Sequence, residues 1–301
     1  MIIFAVLIII RIARYASLPV HLRWELYPIA HETKRPYGGS YFEDLDWWKK
    51  TRSKNLLGEL KFMGIELFFF RLYYRLNKKY WFFVYPFHMG AFLLVALLIL
   101  FFIGALTYMA GINISAVSVS LWGRIIYYLT LIVGVAGLII TGFGCLGLLI
   151  KRLTDKNLKR YTAPMDYFNL LFILAIVVSG LAGWFLFDPG FDTARDFIRS
   201  LITFTPVLTM NPATFTFILL ICLFLIYSPF TRMTHYVAKY FTYHKVLWDD
   251  EPNFGRTQTS QKVRELLNQT PDWSGSHIQA DKSWAQLVKD LPEDKIGDPK
   301  P

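Results

Sequence analysis

Six histidines are spread along the chain, and two of them stand in apolar surroundings where an ionisable group is expensive: His88 in "YPFHMG" and His235 in "SPFTRMTHYVAKY". An ionisable residue inside a membrane span is a functional candidate by default. At about 1.5 Å rise per residue, His88 lies about 13 Å in from Lys79, and His235 about 6 to 15 Å in from Lys239 or Lys245. Two imidazoles at one depth on different helices suit bis-histidine haem ligation, in which the iron takes one neutral nitrogen from each side. Each histidine taken alone could equally hydrogen-bond a backbone carbonyl or a lipid headgroup. Phe87, Gly90, Phe230 and Tyr236 are the kinds of neighbour that leave room for a flat macrocycle. Arg232, three residues before His235, together with Arg152 and Arg160, supplies cations for haem propionates, and Tyr85 adds a polar aromatic suited to a quinone site. His21, His31, His244 and His277 are expected at surfaces or partner contacts. The two cysteines, Cys145 and Cys222, both lie in apolar runs, without the number or spacing of a cluster, a zinc site or a disulfide framework. They read as small hydrophobes.

Elements that cross a membrane must position these residues. The chain has 301 residues, 54% hydrophobic and 17% aromatic, with only 18% charged. Runs of about twenty apolar residues separated by basic stretches are the mark of spanning helices. A first segment covers residues 1–16, short and closed by Arg11 and Arg14. Its positive charge follows the apolar run, which argues for an uncleaved anchor rather than a signal peptide. Further spans are predicted over 81–109, 121–150, 166–187 and 213–238. The third carries Gly134, Gly137, Gly142, Gly144 and Gly147, so it is expected at the bundle centre, where small residues let helices approach.

The loops set an orientation. Residues 15–79 carry twelve Lys and Arg, and "KRLTDKNLKR" after the third span is also basic, whereas "GINISAVSVS" after the second has no charge. The positive-inside rule then places the N-terminus outside and both basic loops and the C-terminal tail inside. The expected fold is an all-α five-transmembrane-helix bundle: first span 1–16, basic loop 17–80 with an interfacial helix in 56–80, four-helix core 81–244, and a cytoplasmic partner-binding tail over 245–301. Within that tail, "SQKVRELLNQ" and "KSWAQLVKDL" are predicted as short helices, with Trp273 and Trp284 as anchors on a partner. The net charge of +10 sits beside apolar helices, so topology and lipid headgroups account for it better than nucleic acid. The chain has no GxGxxG, P-loop, HExxH or Ser/His/Asp arrangement. A permease would need paired spanning carboxylates or broken helices near the midplane, and neither is legible.

"SPFTRMTHYVAKY", "YPFHMG" and "KRLTDKNLKRYTAPMDYFNLL" resemble the gamma subunit of respiratory nitrate reductase over residues 81–244. "SLPVHLRWELYPIAHE" and "WSGSHIQADKSWAQL" resemble the branch found in the transmembrane redox complexes of sulfate reducers, related to the membrane subunit of heterodisulfide reductase. The resemblance implies a multi-pass cytochrome b of the cytoplasmic (inner) membrane in anaerobic respiration, exchanging electrons between menaquinone or menaquinol and a cytoplasmic iron–sulfur subunit. Multihaem cytochrome c and other membrane subunits are further implied partners. The nitrate reductase form holds two haems b with four histidines. Leu98 and Phe217 stand where the second pair would be, so the resemblance implies one haem b here, held by His88 and His235. A cofactor-free membrane anchor of the same kind of complex is the competing reading.

Overall fold

A computed structural model describes residues 2–17, 45–46, 49–51, 55–206, 209–244, 258–275 and 278–289. His21, His31 and His277, and most of the basic loop before residue 55, lie outside the described residues. The chain divides into two compact units, residues 1–11 with 55–234, and residues 12–54 with 235–301.

The first unit contains the start of α1 (Ile2–Ser17), then α2 (Leu56–Phe69), α3 (Arg71–Leu76), α4 (Lys78–Met109), α5 (Leu121–Thr154), α6 (Lys156–Tyr161), α7 (Pro164–Leu186), α8 (Asp192–Thr203) and α9 (Pro212–Tyr227). No strand forms among the described residues. Among the described residues, four helices are long and apolar enough to cross a membrane: α4, α5, α7, and α9 with the turn that follows it. The 16 residues of α1 span about 24 Å, less than a hydrocarbon core of about 30 Å.

The starts of these helices are written locally. Asn77 accepts a hydrogen bond from the Tyr80 N–H at the head of α4, Ser120 from Gly123 at α5, and Asn211 from Thr214 at α9. Each satisfies an otherwise orphaned donor. Prolines open α7 and α9, where a missing N–H costs nothing.

Helices α4 and α5 pack antiparallel along nearly their whole lengths through small residues. A Cβ on Gly144 would lie 2.4 Å from the Phe87 backbone nitrogen, and one on Gly90 2.4 Å from that of Thr141. Backbone meets backbone at both places, so only glycine fits. Gly142 turns instead toward Val177 of α7, and α5 is thereby central, as expected. Helix α7 runs antiparallel to α9, with Gly180 against the Phe217 ring and Phe172 against Phe224.

The expected continuous helix over 213–238 is broken. Helix α9 ends at Tyr227, and two 3-10 turns, Ser228–Phe230 and Arg232–Thr234, follow it. Pro229 has no N–H to donate. The Thr231 hydroxyl takes the Ser228 carbonyl at 2.9 Å and the Thr234 hydroxyl takes that of Thr231 at 3.1 Å, supporting the broken ladder. Helix α8 was not expected at all. Asp192 begins it, and Asp192, Asp196 and Arg199 lie toward one side while Ala194, Arg195 and Ile198 are buried on the other.

In the second unit, α10 (His235–Thr242) follows the break. Tyr15 packs against Phe241 with ring centroids 5.9 Å apart. The tail forms α11 (Gln258–Leu267) and α12 (Trp284–Lys289), close to the two helices expected there. The Trp284 N–H donates to the Gln269 carbonyl at 3.1 Å, and Leu287 is buried.

Candidate functional site

His88 sits in the third turn of α4, half-buried between Phe70 and Phe87, whose ring centroids lie 4.9 and 5.3 Å from its own. Its Nδ1 is 2.8 Å from the Val84 carbonyl oxygen. A carbonyl can only accept, so Nδ1 carries the proton and donates it. Metal-ligating histidines are tethered in this way, because the second-shell bond fixes both tautomer and ring orientation. The tether alone does not select a ligand: His244 donates from Nδ1 to the Tyr240 carbonyl at the same 2.8 Å. His244, however, stacks on the Tyr240 ring at 4.0 Å and lies beyond the spans, whereas His88 is within one. His235 opens α10 and is exposed; it belongs to the second unit and His88 to the first.

Of the expected cations, Arg152 ends α5 and pairs with Asp166 at 3.5 Å, both side chains about a quarter exposed. The Asp166 carboxylate also caps α7 by accepting the Ala163 N–H at 3.0 Å. Arg152 Nε is buried without a hydrogen-bond partner, so it retains a donor for an anion. Arg160 and Arg232 are exposed. Tyr85 stacks under Trp81 at 4.6 Å, and Tyr74 meets the same indole edge-on at 5.0 Å. Gly90 does not open space for a macrocycle as expected, because Thr141 of α5 occupies the volume above it.

Sequence reasoning missed the elbow between α2 and α3. Phe70 joins the two helices at φ 48°, a left-handed conformation that costs a bulky residue about 1–2 kcal/mol. The elbow is pinned to α4 at two places, by Phe70 on His88 and by the Trp81 indole N–H donating to the Phe69 carbonyl at 3.1 Å. Glu66, only 8% exposed, accepts the Leu72 N–H at 3.1 and 3.3 Å and thereby caps α3. Burial pushes the Tyr73 phenol up to about 12; neighbouring Tyr80 adds to the rise and Arg152 opposes it. Tyr73 is therefore a neutral hydrogen-bonding group at any physiological pH.

At the other end of the bundle, Leu98 and Phe217, which stand where the resemblance places a second histidine pair, are packed into the core. Phe217 is 4% exposed and joins Leu97, Phe101, Leu138, Val177 and Phe191 in one apolar cluster, with Leu98 against it. Beside the cluster lies a buried polar clasp. Asp188 accepts the N–H groups of Asp192 and Thr193 at 2.7 and 2.9 Å, and burial raises its pKa against the pull of these bonds. Arg195 bonds Asp192 and the Gly190 carbonyl and lies across Gly104 of α4.

Among the described residues no three His, Cys, Asp or Glu side chains converge as metal ligands. A porphyrin iron brings most of its own ligands and asks few of the protein. The tethered Nδ1 of His88 and the spare donor of Arg152 fit such a group.

The family profile described as "Nitrate reductase gamma subunit" matches residues 76–248, more than half of the chain, and takes in both His88 and His235. The chain belongs to the nitrate reductase gamma subunit family. It is 32% identical over 120 residues to the nitrate reductase gamma chain of Bacillus subtilis (strain 168), covering 35% of this chain and 53% of that relative. The chain thus spans about half the length of the curated relative it matches. No solved structure matches it. With four apolar helices of spanning length, this gamma-family chain is a multi-pass membrane protein.

Proposed function

We propose that this chain is a membrane cytochrome b subunit that carries electrons between menaquinone and a cytoplasmic iron–sulfur subunit through one haem b held by His88 and His235. The observation that supports the reading most is the family match over residues 76–248, which takes in His88 inside a span as well as His235; the Nδ1–H bond to the Val84 carbonyl orients the His88 ring. Haem supplies one-electron chemistry when bound. The chain's residues do the rest. His88 would supply one ligand to the iron, Phe70 and Phe87 packed on its ring would shield it from water, and Arg152 would offer Nε to a propionate. The filled cluster around Phe217 and Leu98 supports a single haem rather than two. In this reading α1 is the fifth span, and the basic loops before α4 and after α5 face the cytoplasm with the tail. The exposed indole of Trp273 and the helix opened by Trp284 dock the iron–sulfur partner, in a complex resembling those of sulfate reducers.

The test is a reduced-minus-oxidised spectrum of the purified chain with haem quantified per polypeptide. One haem per chain, lost in both His88→Ala and His235→Ala, is the expected result. Haem retained by both variants overturns the ligand assignment, and a haem-free wild type leaves a membrane anchor.

A further inference from the structure

The α2–α3 elbow encloses a half-open cavity of about 180 Å³ lined by Phe62, Ile65, Glu66, Arg71, Leu72 and Arg75. We infer that this cavity binds the headgroup of a quinone. The proposal rests on the reading of the chain as a quinone-linked redox subunit, and it assigns the site.

Size comes first. An apolar cavity of roughly 150 Å³ takes a benzene ring. A cavity of 180 Å³ with one open side takes a one- or two-ring headgroup and leaves an isoprenoid tail outside. Chemistry comes second. Arg71 and Arg75 are one helical turn apart, so their guanidinium groups project from one face of α3. They donate to the carbonyl oxygens of an oxidised ring. Glu66, buried at the back, offers a carboxylate able to accept several donors at once, including the hydroxyls of the reduced ring. Two arginines against one carboxylate leave the lining net positive, so an anionic lipid is the competing occupant, and the apolar walls are what favour a ring. Phe62, Ile65 and Leu72 supply apolar walls.

Position comes third. Arg71 follows Phe70, whose ring rests on His88 at 4.9 Å, so a single aromatic residue separates the lining from the candidate ligand. Phe70 is held there in a left-handed conformation, and such local strain persists only where the surroundings enforce it.

The experiment is equilibrium dialysis of menadione, a naphthoquinone without a tail, against the purified full-length chain in detergent. Saturable binding is expected. Arg75→Ala and Leu72→Trp should each weaken it about tenfold or more, the first by removing a charged donor and the second by filling the space. Under anaerobic conditions, Glu66→Gln should weaken the hydroquinone more than the quinone, because only the hydroquinone donates to the carboxylate. The haem spectrum of these variants should remain that of the wild type. Absence of saturable binding, or wild-type affinity in both Arg75→Ala and Leu72→Trp, overturns the site. Binding of short-chain phosphatidylglycerol in place of menadione, lost in Arg75→Ala, overturns it in favour of a lipid headgroup. A haem-free chain that binds menadione and loses it in Arg75→Ala sustains the site while the haem reading fails.

Discussion

The two ends of the helix bundle are built on opposite plans. At the Asp188 end, α4 buries Leu97, Leu100, Phe101, Gly104, Ala105 and Thr107, and α8 closes over them with a buried aspartate and a buried arginine. At the His88 end, no residue of α4 before Gly90 is buried, and α9 breaks into 3-10 turns. The Asp188 end carries the larger buried cluster. The His88 end carries a smaller one of Cys145, Leu148 and Leu170, with half-buried aromatics, a tethered imidazole and an arginine with a donor to spare beside it. A cofactor site needs unfilled volume and unsatisfied valence, and close packing removes both.

The sharpest break in that contrast is His88→Ala. It should abolish bound haem, with the Soret absorbance of the purified chain falling to the level of the protein alone. The same measurement on Phe217→Ala should show wild-type haem. Next in size is Gly144→Val, which drives a Cβ into the backbone of Phe87. It should remove folded protein from the membrane fraction altogether, as judged by size exclusion in mild detergent. Phe217→Ala should then cost about 3–5 kcal/mol of stability, the range for emptying a buried aromatic position, read as a lowered Tm. The double substitution Leu98→His and Phe217→His sharpens the comparison further. If packing rather than missing ligands now closes the Asp188 end, haem content should stay at one per chain.

Much of this was legible in the sequence, for reasons that differ by element. The spans over α4, α5 and α7 appeared within a few residues because about twenty apolar residues have no other economical use. The glycines of α5 marked its central place. The break at 228–234 was missed although Pro229 was in plain view, because apolar residues continue past it and hydropathy does not register a lost hydrogen bond. Helix α8 was missed because its four charged residues read as loop, and only the packed structure shows Arg195 folded down over Gly104. The elbow was beyond reach: nothing in "ELFFFRLYY" says that Phe70 alone turns left-handed. The bond that orients the His88 ring is likewise a matter of rotamer, which composition and spacing do not encode.

The smallest expected effect tests the Asp188 clasp by pH. Burial raises the folded-state pKa of Asp188 above its unfolded value, despite two backbone N–H bonds to the carboxylate. The folded state therefore holds its proton over a range where the unfolded chain has released it, and stability must fall as pH rises through that range. The range begins near the ordinary carboxylate pKa and extends upward from it. Hydrogen exchange of the α8 amides should accelerate, beyond the intrinsic pH dependence of exchange, as pH climbs through it, while the α4–α5 interface at Gly144 shows no such excess. In Asp188→Asn the pH trend should vanish, because the amide does not titrate. A trend that survives that substitution would place the titrating group elsewhere, and the clasp would then be a static cap rather than the pH-sensitive part of the packed end.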